Sequence, residues 1–162
     1  MDTLERYRDL TGTICKLLQD LEASPGLIVK HSSALLEHTL GSLSEDQKNC
    51  LGSIHRNALK LSLIANEFEQ ELTLEHRQLD VQSEEVELDD RYLHLLRYPA
   101  CLGNESRVPL NSISGFSKIL LDGTITSPLN DQQRKCIDKI LRLSQTLTSR
   151  IWVSIEAAKE LR

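Results

Sequence analysis

The chain has 162 residues, of which 40% are hydrophobic and 27% charged, a balance typical of one or two small globular domains rather than of disordered or membrane proteins. Its formal net charge of −5 argues against general binding to nucleic acid or to an anionic membrane. No apolar run approaches the roughly 18 residues that cross a bilayer, and the N-terminus lacks the basic-then-apolar pattern of a signal peptide, so we expect a cytoplasmic protein without a membrane span.

The cysteines and the scarcity of aromatic residues narrow the class further. Cys15, Cys50, Cys101 and Cys136 lie far apart and form no CxxC pair, so the sequence predicts no metal site. Without a secretion signal, reduced and partly buried thiols are expected. With only 4% aromatic residues, a core built from Leu and Ile favours helices packed on helices over a β-sheet domain.

The first part of the chain is predicted to form a helical hairpin over residues 1–76. Apolar residues recur at three- and four-residue steps from the start, and this pattern resumes after an interruption at Pro25-Gly26. After a turn, Ser44 and Gln47 have the spacing of a capping box. The helix that follows carries a heptad-like apolar seam at Leu51, Ile54, Ala58, Leu61, Ala65, Phe68 and Leu72.

Residues 77–103 are predicted to form an acidic connector. A short helix is expected over residues 91–98, ending at Pro99, with Gly103 as a further break. Before it, apolar residues that alternate with polar ones suggest short extended pieces at Leu79, Val81, Val86 and Leu88.

A second helical hairpin is predicted over residues 104–162. Its turn contains Gly123 and Pro128, and Asn130 is placed to cap the last helix. Its first helix is marked by Ile113, Phe116 and Leu120. The seam of its second helix comprises Ile137, Ile140, Ser144, Leu147, Ile151, Ile155 and Ala158.

The two hairpins resemble each other, which indicates an internal duplication. An offset of 86 residues aligns Cys50 with Cys136, and upstream an offset of 84 aligns Pro25 with Pro109. Neither hairpin closes a core alone, so the sequence predicts an all-α fold in which both pack as a pseudo-twofold four-helix bundle. The alternative is that each hairpin pairs with its copy in a homodimer.

The second hairpin resembles the dimerisation and phosphoacceptor domain of sensor histidine kinases. Asn104-Glu-Ser-Arg-Val-Pro-Leu, followed by Ile-Ser-Gly-Phe, is similar to the family's H-box, His-Glu-Leu-Arg-Thr-Pro-Leu, and the Ile-x-Gly-Phe that follows it. Leu129-Asn-Asp-Gln-Gln-Arg-Lys-Cys is similar to the start of that domain's second helix, and the first hairpin resembles the family more weakly. The chain resembles a duplicated domain of this kind that lacks the ATP-binding domain.

The resemblance fails at the reacting residue. Asn104 stands where the family has its phosphorylated His, and Asp20 stands at the aligned position of the first hairpin. An amide nitrogen is not a nucleophile, and no Gly-x-Gly nucleotide loop is present. We therefore expect a chain that is not an enzyme, with no catalytic residue, no cofactor and no metal.

The resemblance implies a partner and a surface. In the family, receiver domains bind beside the phosphoacceptor, so a response-regulator receiver domain or a histidine kinase is the expected partner of a non-catalytic scaffold or inhibitor. The implied contact residues are Asn104, Glu105, Arg107, Val108, Asn111 and Ser112.

Two other functions stay open at this point. One is a structural subunit or assembly factor, and the other a phosphotransfer enzyme that uses a displaced His. A surface patch flanking Asn104 would favour receiver docking. An apolar stripe on the outer face of residues 131–161, at Trp152 and Val153, would favour another assembly.

Overall fold

A computed structural model describes residues 3–79, 85–124 and 127–161, and all regular structure in these ranges is α-helical. No helix in this part of the chain is both long and apolar enough to cross a membrane. The elements in chain order are α1 (Thr3–Leu36), α2 (Glu45–Leu79), α3 (Glu85–Leu95), α4 (Tyr98–Asp122) and α5 (Asp131–Glu160).

Four of these helices form a bundle around one core. Helix α1 packs on α2 and α5, and α4 packs on the same two helices. The buried side chains of all four helices belong to a single hydrophobic cluster. The sequence alignment of the two hairpins pairs α1 with α4 and α2 with α5, and the helix contacts are equivalent under that pairing, as in a pseudo-twofold pair of hairpins. The prediction of an all-α four-helix bundle is confirmed.

Both second helices begin with the same capping device. In α2 the Ser44 hydroxyl accepts from the Gln47 N–H at 3.2 Å, and the Gln47 side chain accepts from the Ser44 N–H at 2.9 Å. In α5 the Asn130 side chain accepts from the Gln133 N–H at 2.8 Å, and the reciprocal bond measures 3.0 Å. Each box satisfies two backbone N–H groups that a helix N-terminus leaves without partners, which confirms both predicted caps.

The two capping glutamines also tie the hairpins together. Gln47, which is buried, donates its side-chain amide to the Ser127 carbonyl in the turn of the second hairpin. Gln133, also buried, donates to the Ser42 carbonyl in the turn of the first hairpin, at 3.0 Å. Each hairpin therefore helps to fix the turn of the other, and the pseudo-twofold relation extends to this end of the bundle.

The predicted interruption at Pro25-Gly26 is wrong. Helix α1 runs through both residues, and Pro25 is buried on the face that packs against the bundle. A proline inside a helix loses one hydrogen bond and costs about 3 kcal/mol. Burial of a 34-residue helix along two neighbours outweighs that cost. Pro109, its duplicate, lies inside α4 and is buried in the same way.

The connector is more helical than predicted. Leu79 is the last residue of α2, and Val86 and Leu88 lie inside α3, so the expected extended pieces are wrong at these positions. Val81 lies outside the described residues. Helix α4 begins at Tyr98, with Pro99 in its first turn rather than at the end of a helix. Proline is tolerated there because the first N–H groups of a helix have no partner within it. Gly103 is an interior residue of α4 and does not interrupt the helix, contrary to the predicted break.

Helix α3 closes the end of the bundle opposite the capped turns. It packs on α1, and the Tyr92 hydroxyl donates to the carbonyl of Leu161, just after the end of α5, at 2.5 Å. Beside it, the rings of Tyr98 and Phe68 meet edge to face, with their centroids 5.7 Å apart. The connector thus contacts α1 and the residue just after α5, while the Tyr98–Phe68 pair joins α4 to α2.

Substitution of Gly41 by alanine is expected to lower the free energy of unfolding by about 1–2 kcal/mol. Gly41 has φ +116°, and an added Cβ would lie 2.8 Å from the Asn130 side-chain nitrogen. The control is Gly12→Ala in α1, where no heavy atom lies within 4 Å of the added carbon. This control should raise the stability by about 0.5–1 kcal/mol. Urea unfolding followed by circular dichroism measures both, and equal effects would contradict the strained turn.

Candidate functional site

Asn104, Arg107 and Asn111 form one exposed row on α4. They follow each other at steps of three and four residues, which places them on one face of the helix. In the described part of the chain, none of the three side chains has an ion-pair or hydrogen-bond partner. The row therefore presents one guanidinium and two carboxamides to solvent.

This row forms one wall of a groove between α4 and α5, with a volume of about 430 Å³. From α4 the groove is lined by Gly103, Asn104, Arg107, Leu110 and Asn111. From α5 it is lined by Thr148, Ser149, Ile151, Trp152, Val153 and Ile155. Most of its surface is contributed by apolar side chains, so the polar groups of α4 border an apolar trough.

The other three implied contact residues lie elsewhere on α4. Glu105, Val108 and Ser112 do not line the groove, because a rotation of about 100° per residue turns them away from the Asn104 row. Val108 is 66% exposed, Glu105 is also exposed, and Ser112 is half-buried. The structure thus divides the six residues between two faces of the helix.

Receiver docking and assembly with another complex were expected to use different surfaces, a patch beside Asn104 and an apolar stripe on α5. The structure places both features in one groove. Trp152 and Val153 are 60% and 65% exposed, as an apolar stripe on α5 requires. They nevertheless line the same groove as Asn104. The patch beside Asn104 and the apolar stripe are therefore one surface.

The groove carries positive charge in an acidic protein. Its lining contains the Arg107 guanidinium and no Asp or Glu. At one end the Lys159 ammonium lies 5.5 Å from the centroid of the Trp152 ring and also pairs with Glu156. Since Glu156 balances the Lys159 charge, the positive charge of the lining comes from Arg107, and it favours a ligand or partner that brings a carboxylate.

Asp20, which the resemblance aligns with a second phosphoacceptor position, has a different environment from Asn104. Its carboxylate accepts a hydrogen bond from the Arg150 guanidinium, across the interface between α1 and α5. Both residues line a second groove, between α1 and α5, with a volume of about 740 Å³. The structure therefore does not bring Asp20 and Asn104 into one site, and the Asp20 carboxylate is already engaged.

The histidines do not form a replacement phosphoacceptor site in the groove. None of the four whose side chains the structure describes lines it. His55 shares a hydrogen bond with the Ser32 hydroxyl at 2.9 Å. Partial burial lowers the pKa of His31, and the charges of Lys139 and Lys30 lower it further.

The thiols are free, and two of them are more exposed than expected. Cys15 and Cys101 are exposed, Cys50 is half-buried and Cys136 is buried. Although Cys15 is exposed as a residue, partial desolvation of its thiol raises the pKa, and the carboxylate of Glu69 raises it further. Burial likewise raises the pKa of Cys50 and Cys136, so these three thiols are held in the protonated form.

Sequence reasoning missed two features of the site. Gly103 allows α4 to approach α5, since an added Cβ would lie 2.7 Å from Cδ1 of Ile155. Arg150 neutralises Asp20 from 130 residues further along the chain, and no local pattern signals that contact. The small size of Gly103, two helical turns before Asn111, was the only available sign of a close helix crossing.

Within the described residues, no three His, Cys, Asp or Glu side chains come together in a way that could hold a metal ion. Comparison of the chain with protein-family models, with curated proteins and with solved structures found no match. Its function must therefore be argued from the groove itself.

Proposed function

We propose that this chain is a non-catalytic, cytoplasmic signalling protein that uses a histidine-kinase-like bundle to bind a receiver domain of a response regulator, or a histidine kinase. By binding this partner, the chain scaffolds or inhibits phosphoryl transfer. The observation that carries the proposal is the row of Asn104, Arg107 and Asn111, which is exposed and unpaired at the edge of an apolar groove.

Two features of the chain support a role without phosphoryl transfer. The side chain at the phosphoacceptor position is the amide of Asn104, which cannot attack a phosphoryl group. The aligned carboxylate of Asp20 is paired with Arg150. Since the four helices of one chain already share one core, we propose that a single molecule carries out this function without a second copy.

A second candidate function is that of a structural subunit or assembly factor. It is favoured by Leu59 and Leu63, which are 49% and 57% exposed on α2, one helical turn apart. These two leucines do not line the groove beside Asn104, so a partner held there would leave that groove free.

The test is affinity capture from the source organism with the purified chain, followed by identification of the bound proteins. The disabling variant is Arg107→Glu combined with Asn111→Arg. The matched control is Ala23→Glu combined with Leu27→Arg in α1. An offset of 84 residues aligns these positions with Arg107 and Asn111, so the control introduces the same side chains on the other hairpin.

Recovery of a receiver-domain protein or a histidine kinase by the wild type and by the control, with loss in the disabling variant, is expected. Recovery of an unrelated complex that all three proteins bind equally would overturn the proposal. That outcome, together with loss of the complex on Leu59→Ser plus Leu63→Ser, would establish the second candidate.

A further inference from the structure

The duplication supplies an internal comparison for the groove. Between α1 and α2 lies a groove of about 170 Å³ at the equivalent place. The offset of 86 residues pairs its Asn66 with Trp152 and its Glu69 with Ile155. The two grooves have the same helical framework but opposite chemistry, and the one between α4 and α5 is the larger and the more apolar.

The charges of the two grooves differ in sign. The groove between α1 and α2 is lined by Glu22 and Glu69 and by no basic residue. The groove between α4 and α5 is lined by Arg107 and by no acidic residue. At the position of Arg107, the first hairpin has Ala23. The exposed Arg107 guanidinium, which has no partner in the described part of the chain, is a binding group for a carboxylate.

The floor of the groove is formed by apolar side chains. Leu110 and Ile151 are buried beneath it, and Ile155 packs against the backbone of α4 at Gly103. Along α4 the lining extends from Gly103 to Asn111, about 12 Å at the helical rise per residue. A volume of about 430 Å³ falls within the range of small-molecule sites.

We propose that the groove between α4 and α5 binds a medium-chain aliphatic carboxylate. The acyl chain lies on Leu110, Ile151 and the Trp152 ring, and the carboxylate accepts hydrogen bonds from the Arg107 guanidinium and from a carboxamide of the same row. A single cation in the lining selects a monoanion. This binding does not rest on the proposed function. One consequence does rest on it: the ligand would compete with the protein partner for Asn104 and Arg107.

The position of the chain's single tryptophan makes this inference directly measurable. Decanoate is titrated into the full chain below its micelle concentration, with Trp152 fluorescence and calorimetry as readouts. Saturable binding is expected. Decan-1-ol and decyltrimethylammonium, which share the tail but not the anion, are expected to bind at least about tenfold more weakly, since a charged hydrogen bond contributes about 1.5–3 kcal/mol.

Two variants test the assigned groups. Arg107→Gln is expected to weaken decanoate binding by at least about tenfold, whereas Lys118→Gln, an exposed base on the same helix, leaves it unchanged. Ile155→Glu introduces the carboxylate that the duplicate groove has at Glu69 and is expected to abolish binding while the helical circular dichroism persists.

Absence of both a fluorescence change and a calorimetric signal would overturn the inference. Equal binding of the three probes, or an unaltered affinity in Arg107→Gln, would also overturn it, because the signal would then report adsorption of alkyl chains to an apolar surface. None of these outcomes bears on capture of a protein partner, so the two proposals fail independently.

Discussion

Leu147→Ala is expected to destabilise the whole chain by about 2–5 kcal/mol, the cost of removing a large buried side chain and leaving a cavity. Leu147 is fully buried in α5, and its duplicate Leu61 is fully buried in α2. Because both leucines belong to one core cluster, Leu61→Ala is expected to have an effect of the same size. Unfolding should remain a single cooperative transition in both variants.

Chemical unfolding monitored by far-ultraviolet circular dichroism and by Trp152 fluorescence checks this result. The fluorescence reports on α5 alone, so coincident transitions show that both hairpins unfold together. Leu63→Ala on α2 is the control, because that side chain is 57% exposed and its loss should change the stability by less than about 0.5 kcal/mol. Two separate transitions, with Leu61→Ala moving only one of them, would show that the hairpins fold independently.

Gln133→Ala is expected to lower the stability by about 2–3 kcal/mol, although it removes only a polar side chain. The Gln133 amide accepts from the Asn130 N–H and donates to the Ser42 carbonyl, both at 3.0 Å. Alanine would leave both backbone groups without these partners, and Gln133 is almost completely buried. The cost therefore combines a lost cap with a lost link between the hairpins.

The neighbouring residue provides a matched control for this substitution. Gln132 is exposed, and Gln132→Ala removes the same side chain from the same turn of α5. Thermal and urea unfolding should show no more than about 0.5 kcal/mol of change for it. Gln47→Ala, the duplicate of Gln133→Ala, should destabilise by a similar amount. A small effect of Gln133→Ala would mean that water replaces the amide and that the cross-hairpin bonds contribute little.

The sequence by itself determined the helical class of the chain, the apolar seam of α2 and the N-caps of α2 and α5. Periodicity at three- and four-residue steps placed Leu51 through Leu72 on one face of α2, and all seven predicted seam residues are buried. The capping box at Ser44 and the cap at Asn130 were predicted from the sequence alone, whereas the reciprocal bond from Gln133 emerged only in the structure. These features depend on residues within one or two helical turns, and their interactions are therefore visible in a local pattern.

Only the tertiary structure decided how those helices are used. Pro25 continues α1 because two neighbouring helices bury it, and Asp20 is neutralised by Arg150 from the other hairpin. The family resemblance singled out Asn104 and Arg107, but the apolar wall opposite them comes from α5. Contacts between distant parts of the chain depend on how helices cross and approach, as at Gly103, and that geometry has no signature within a single helix.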